Sequence, residues 1–134
     1  MTTIADVRSQ MAEAIATTGW AVSSYEFDAI NPPVVHIMVD EFDPRFVFGG
    51  GKRPIPFRVQ AFANRTGEIS SLKRLDALKE PTGSGSLTAA VQTSANWGAV
   101  SIDIAEVTSV GRTVEVEVAG NVYLMAQFIV EVLF

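Results

Sequence analysis

Thr113-Val114-Glu115-Val116-Glu117-Val118, then Gly120-Asn121, then the run from Val122 to Val132 is the stretch that decides the fold. The first part alternates apolar and acidic residues with a strict period of two, the signature of a half-buried strand. Gly120-Asn121 reads as a hairpin turn. Beyond it Val122, Leu124, Ala126, Phe128, Val130 and Val132 fall on one face. The opposite face carries Tyr123, Met125, Gln127, Ile129 and Glu131, a mixture of apolar and polar groups. A strand this long and apolar on nearly both sides belongs in the middle of a sheet.

Upstream, Val100, Ile102 and Ile104 alternate with Ser101 and Asp103, and Gly111-Arg112 reads as a turn, so the last third is expected to be a β meander. Two more strands are expected earlier, at Val34–Val39 and Ile55–Ala63, with an extended stretch from Trp20 to Phe27 before them. Helices occupy the gaps. Thr3 suits an N-cap with Asp6 in the first turn, and Ile4, Val7, Met11 and Ile15 recur at helical spacing up to the stop at Gly19. Ile69, Leu72, Leu75 and Leu78 form the apolar stripe expected of a second helix, which Pro81 ends. Ser86 caps a short third helix over Leu87–Thr93. Strand clusters separated by helices predict an α+β domain spanning 1–134. Its sheet is mixed and mostly antiparallel, flanked by an N-terminal helix and a central helix pair. A long projecting hairpin or loop over Asp40–Pro54 completes the expectation.

Composition narrows the chemistry. The 134 residues include no cysteine, so disulfides, thiolate catalysis and iron–sulfur clusters are excluded. No basic leader followed by an apolar core opens the chain, and no apolar run is long enough for a bilayer, so no secretory signal and no membrane partner are expected. A net charge of −5 argues against wrapping nucleic acid through its phosphates. Apolar residues make up 48% of the chain and mean hydropathy is +0.25. That surplus predicts surface buried against partners.

The sequence carries no complete catalytic pattern. His36 is the single histidine and sits in an apolar strand, so a core or interface role is expected. Gly49-Gly50-Gly51-Lys52-Arg53 lacks the earlier glycine and the Ser/Thr of a phosphate-binding loop. Asp40, Glu41 and Asp43 do not continue into a calcium loop; solvation, or pairing with bases on a neighbour, is expected instead. Phe46, Phe48, Lys52, Arg53, Phe57 and Arg58 interleave rings and bases as a single-strand binder does, but the negative net charge favours Phe57 in the core and the loop on protein. No enzyme activity, metal or cofactor is expected. The loop residues Phe42, Arg45, Phe46, Phe48, Lys52 and Arg53 are the candidate assembly interface. Glu115 and Glu117 are the candidate acidic face toward solvent or a channel, in a stretch from Ser101 to Phe134 with five acidic residues and Arg112 as its one base.

In order along the chain, the opening helix, Asn31-Pro32-Pro33-Val34-Val35, the glycine-bearing loop, Ile55-Pro56-Phe57-Arg58-Val59, Leu75-Asp76-Ala77-Leu78, Gly83-Ser84-Gly85-Ser86-Leu87 and the closing run from Gly120 to Val132 resemble the tail terminator proteins of long-tailed bacteriophages, especially those of actinobacteria. The resemblance implies a hexameric ring on the head-proximal end of the tail tube. Such a ring stops tube polymerisation, docks head-completion proteins and lets DNA pass through its channel without specific binding. It implies a virion protein made in the host cytoplasm, with the tail tube protein, a head-completion or connector protein and copies of itself as partners. A head–tail connector or another tail component is the alternative within this class. A small-molecule-binding or enzymatic domain is the alternative outside it, recognised by a deep pocket holding titratable groups.

Overall fold

A computed structural model of the chain describes residues 2–23, 31–42, 54–65, 67–98 and 100–134. The order of elements is α1 (Ile4–Ala16), β1 (Ala21–Ser23), β2 (Val34–Val39), β3 (Ile55–Asn64), α2 (Glu68–Lys79), α3 (Leu87–Gln92), a 3-10 turn (Ser94–Trp97), β4 (Ile104–Val110), β5 (Val114–Val118) and β6 (Asn121–Leu133). The fold is α+β with a mostly antiparallel six-stranded sheet, as the strand and helix periodicities predict. Among the described residues the one parallel pairing is β1 on β2. The projecting hairpin expected between β2 and β3 lies, over residues 43–53, outside the described residues.

Helix ends follow their side chains. The Thr3 hydroxyl accepts from the Asp6 N–H at 3.1 Å, and the Thr3 N–H donates to Asp6 Oδ2 at 2.9 Å, a reciprocal capping box. That N–H bond, with the Thr3 side-chain bond behind it, holds the Asp6 carboxyl below its ordinary range. The buried Ser86 hydroxyl donates to the Glu80 carbonyl and accepts from the Ala89 N–H at 3.0 Å, closing the link between α2 and α3.

β6 is the central strand. Along one side it pairs with β3, from Ile55↔Val132 to Asn64↔Tyr123. Along its other side run both β4 and β5, laid end to end: Ile104↔Leu133 begins that flank and Val118↔Asn121 ends it. Gly111-Arg112 is therefore not a chain reversal, contrary to the meander expected from the sequence. The glycine serves a close approach: the Gly111 N–H donates to the Gln127 carbonyl at 2.7 Å, and a Cβ there would stand 3.0 Å from that oxygen. Lys79 Nζ, in the last turn of α2, donates to Thr113 Oγ1 at 2.7 Å and ties the junction to the helix layer.

The hairpin turn also sits one residue earlier than Gly120-Asn121. Val118↔Asn121 is the closing pair, so Ala119 and Gly120 form a two-residue loop, with φ of 51° and 82°. Two successive positive φ values are the mark of a type I′ turn, where Asn-Gly is the preferred pair. Alanine in the left-handed region costs roughly 1–2 kcal/mol. Ala119→Gly is expected to raise stability by about 0.4–1 kcal/mol even though it loosens the unfolded chain, because relief of the strain outweighs that entropy. A urea-unfolding midpoint that falls instead would show the alanine to be unstrained.

The described helices all pack on one face of the sheet. Val35 and Ile37 of β2, Phe57, Val59 and Ala61 of β3, and Ala126, Phe128, Val130 and Val132 of β6 are fully buried there. Against them lie Val7, Met11 and Ile15 of α1, Leu75 and Leu78 of α2, Leu87 and Val91 of α3, and Trp97 of the 3-10 turn, in one continuous core. Ile69 does not join its predicted stripe: it is 73% exposed. Nine residues separate it from Leu78, and at 3.6 residues per turn that is about half a turn too many, so the two side chains leave opposite sides of the helix.

Candidate assembly surfaces

Alternation along the strands sends a second set of side chains to the face the helices leave alone. The register assembles them into cross-strand rows. Val34, Phe62, Met125 and Val114 form one row; His36, Gln60 and Gln127 the next; Met38, Arg58, Ile129 and Ser109 a third. Asn64, Tyr123 and Val116 extend the first side, and Glu131 opposite Glu106 the last. At the β1–β2 end this face is closed: Ser23, His36 and Phe62 are buried, and the His36 and Phe62 rings meet at 5.3 Å. Across β6, β5 and β4 it opens. Tyr123, Met125, Ile129, Val114, Val116 and Val118 are half-buried, and Ile104 is 55% exposed. No helix among the described residues covers that half.

Two extra residues on this flank set where β5 falls along β6. Thr108 bulges between the Val107↔Val130 and Ser109↔Ile129 pairs, and one further residue is absorbed between Val110↔Phe128 and Val114↔Met125. The first insertion reverses the facing of the residues beyond it and the second restores it, so the β5 valines share the face of Ile104 and Glu106 with the register moved two places along β6. Val116 therefore stands beside Tyr123, and Glu115 and Glu117 point to the helix side, past the last helix, where both are exposed. Glu115 pairs with Arg65 of its own chain at 3.2 Å, with both side chains about half exposed at 52% and 56%. A pair so open to water contributes little.

The residues singled out in the β2–β3 connection separate into two groups. Phe42 is half-buried and packs against the core of its own chain. Arg45, Phe46, Phe48, Lys52 and Arg53 lie outside the described residues. Asp40, expected to be solvated or to pair on a neighbour, instead binds Arg58 of its own chain at 2.9 Å. The strand register places both on the uncovered face, one strand apart, which makes that pair local. Phe57 is fully buried, as the reading against a single-strand binder requires, which separates it from Arg58 on the opposite face.

One cleft bears on small-molecule binding. It measures about 310 Å³ and lies between α3, the 3-10 turn and the start of β4, lined by Val91, Gln92, Trp97, Ile102, Asp103 and Ile104 among others. Asp103 is the one titratable residue among its described walls, too few for a paired acid and base. Among the described residues no group of three or more potential metal ligands gathers, and no helix is long and apolar enough to cross a membrane.

These features define a class by shape: a small α+β domain with one sheet face sealed by its own helices and the other half open. The chain matches no protein-family model, no curated protein and no solved structure.

Proposed function

We infer that the chain is a structural virion subunit that assembles with copies of itself into a hexameric ring on the head-proximal end of a phage tail tube. There it ends tube polymerisation and docks head-completion proteins. The observation that carries this reading is the one-sided sheet: Met125, Ile129, Tyr123 and the valines of β5 form a half-exposed apolar area with no helix of the described chain over it. Soluble domains rarely leave such an area open. The order of sequence features shared with tail terminators supports the particular assembly. A surface on one side of the subunit that meets a different surface on the next builds a heterologous contact, and a ring results when the rotation closes. The exposed Glu115 and Glu117 suit a surface past which DNA slides, since like charge keeps phosphates from sticking. The subunit is made in the host cytoplasm and works in the virion, at the head–tail junction.

The test uses the tail tube protein of the same phage. When the chain is added during tube growth, electron microscopy is expected to show short tubes, each with a ring on one end. Tubes that grow to unrestricted length with bare ends contradict the reading.

A further inference from the structure

Among the described residues β5 is the unprotected edge of the sheet. The opposite edge, β1, is three residues long. The β4 edge is blunted by α3, whose Gln92 Oε1 accepts the Val107 N–H at 3.1 Å. β5 pairs with β6 alone among the described residues. A two-residue hairpin closes on a hydrogen-bonded pair, here Val118↔Asn121, and antiparallel pairs alternate between bonded and non-bonded. The backbones of Val118, Val116 and Val114 are thus spent on β6. The N–H and C=O groups of Glu117 and Glu115 point out of the sheet.

We propose that this edge takes an added strand from another protein, an extended segment with Lys or Arg at alternate positions and β-branched residues between them. The proposal deepens the assembly reading and rests on it for the partner being a virion component. Backbone groups at Glu115 and Glu117 supply the ladder bonds of strand addition. The side chains supply the choice. Next to Val114, Val116 and Val118 the incoming strand meets an apolar row continuous with Tyr123 and Met125. Next to Glu115 and Glu117 it meets two exposed carboxylates, and Arg65 already shows that a guanidinium fits beside the first. Among the described residues Glu117 has no such partner. A second β5 laid antiparallel would set glutamate against glutamate, and like charges directly opposite destabilise a pair. The same charges that guard the edge against its own copies therefore favour a basic strand.

The probe is a labelled peptide, acetyl-Thr-Lys-Val-Lys-Val-Lys-Thr-amide, with two controls: glutamate in place of each lysine, and proline at the central lysine. Binding to the full chain is read by fluorescence anisotropy and located by amide hydrogen exchange. The expected result is binding by the lysine peptide only, with slowed exchange at residues 114–118. Glu117→Pro removes one outward N–H and leaves the β6 bonds intact; it should weaken binding at least tenfold. Glu115→Lys with Glu117→Lys should reverse the preference toward the glutamate peptide, and decides the matter if the proline variant does not fold. Binding that survives either change, or protection spread over other acidic surface, overturns the proposal. So does concentration-dependent protection of 114–118 in the chain alone, which would give the edge to a second copy. A ring that ignores the peptide removes this inference alone, and a monomer that binds it removes the ring reading alone.

Discussion

Phe128→Ala is expected to lower the free energy of unfolding by about 3–5 kcal/mol, the usual cost of deleting a buried ring. Phe128 is fully buried on the central strand, with Val59 beside it on β3 and Val110 on β4. Strands on both sides are hydrogen-bonded to β6 and helices pack above it, so neighbours have little freedom to collapse into the void. A domain of this size holds roughly 5–15 kcal/mol in all. The variant should therefore sit near the edge of folding at 37 °C. Urea unfolding followed by far-UV circular dichroism measures it, and a loss below about 1 kcal/mol would mean that the ring is not enclosed as described.

Met125→Lys combined with Ile129→Lys is expected to leave that unfolding curve nearly in place and to abolish assembly. Both residues lie on the uncovered half of the sheet, half-buried, where a lysine can lay its stem along the strand and keep its ammonium in water. Against a partner the same ammonium must be desolvated, which costs several kcal/mol per ion unless a carboxylate meets it. Two of them should weaken association by at least about 100-fold, equivalent to about 2.7 kcal/mol. Sedimentation velocity of the variant and the parent chain, with circular dichroism as the control on folding, reads the difference. Unchanged assembly would show that this face is not what the copies share.

How far the sequence reaches depends on whether its signals are local. The capping box at Thr3 and Asp6, the stop after α1 and the Ser86 cap are short-range bonds, and each falls where the residues indicate. β6 was legible because a run apolar on both faces has one comfortable place, the middle of a sheet. Register was not legible. The bulge at Thr108 and the second inserted residue before Val114 move β5 two places along β6 while cancelling in parity, and neither leaves a mark in a period-two pattern. Gly111 looks like a turn residue in sequence; only the Gln127 carbonyl lying against it reveals a close approach. Ile69 fits a count of every third residue, but that count drifts around a helix and ends on the opposite side. Of the candidate interface, Glu115 and Glu117 were placed together on one strand face by alternation. Tyr123, Met125 and Ile129 read as a mixed face, and nothing local in the sequence marks that no helix among the described residues covers them. The Asp40–Arg58 pair depends on β2 and β3 lying side by side, a neighbourhood that a sequence separation of 18 conceals.

The native mass of the purified chain, measured by mass spectrometry or light scattering at concentrations up to about 100 μM, bears most directly on the claim that the open face exists to be covered by copies. One chain weighs 14.4 kDa. A discrete closed multiple of that mass, held over a range of concentrations, is the predicted result, and a single 14.4 kDa species throughout contradicts it.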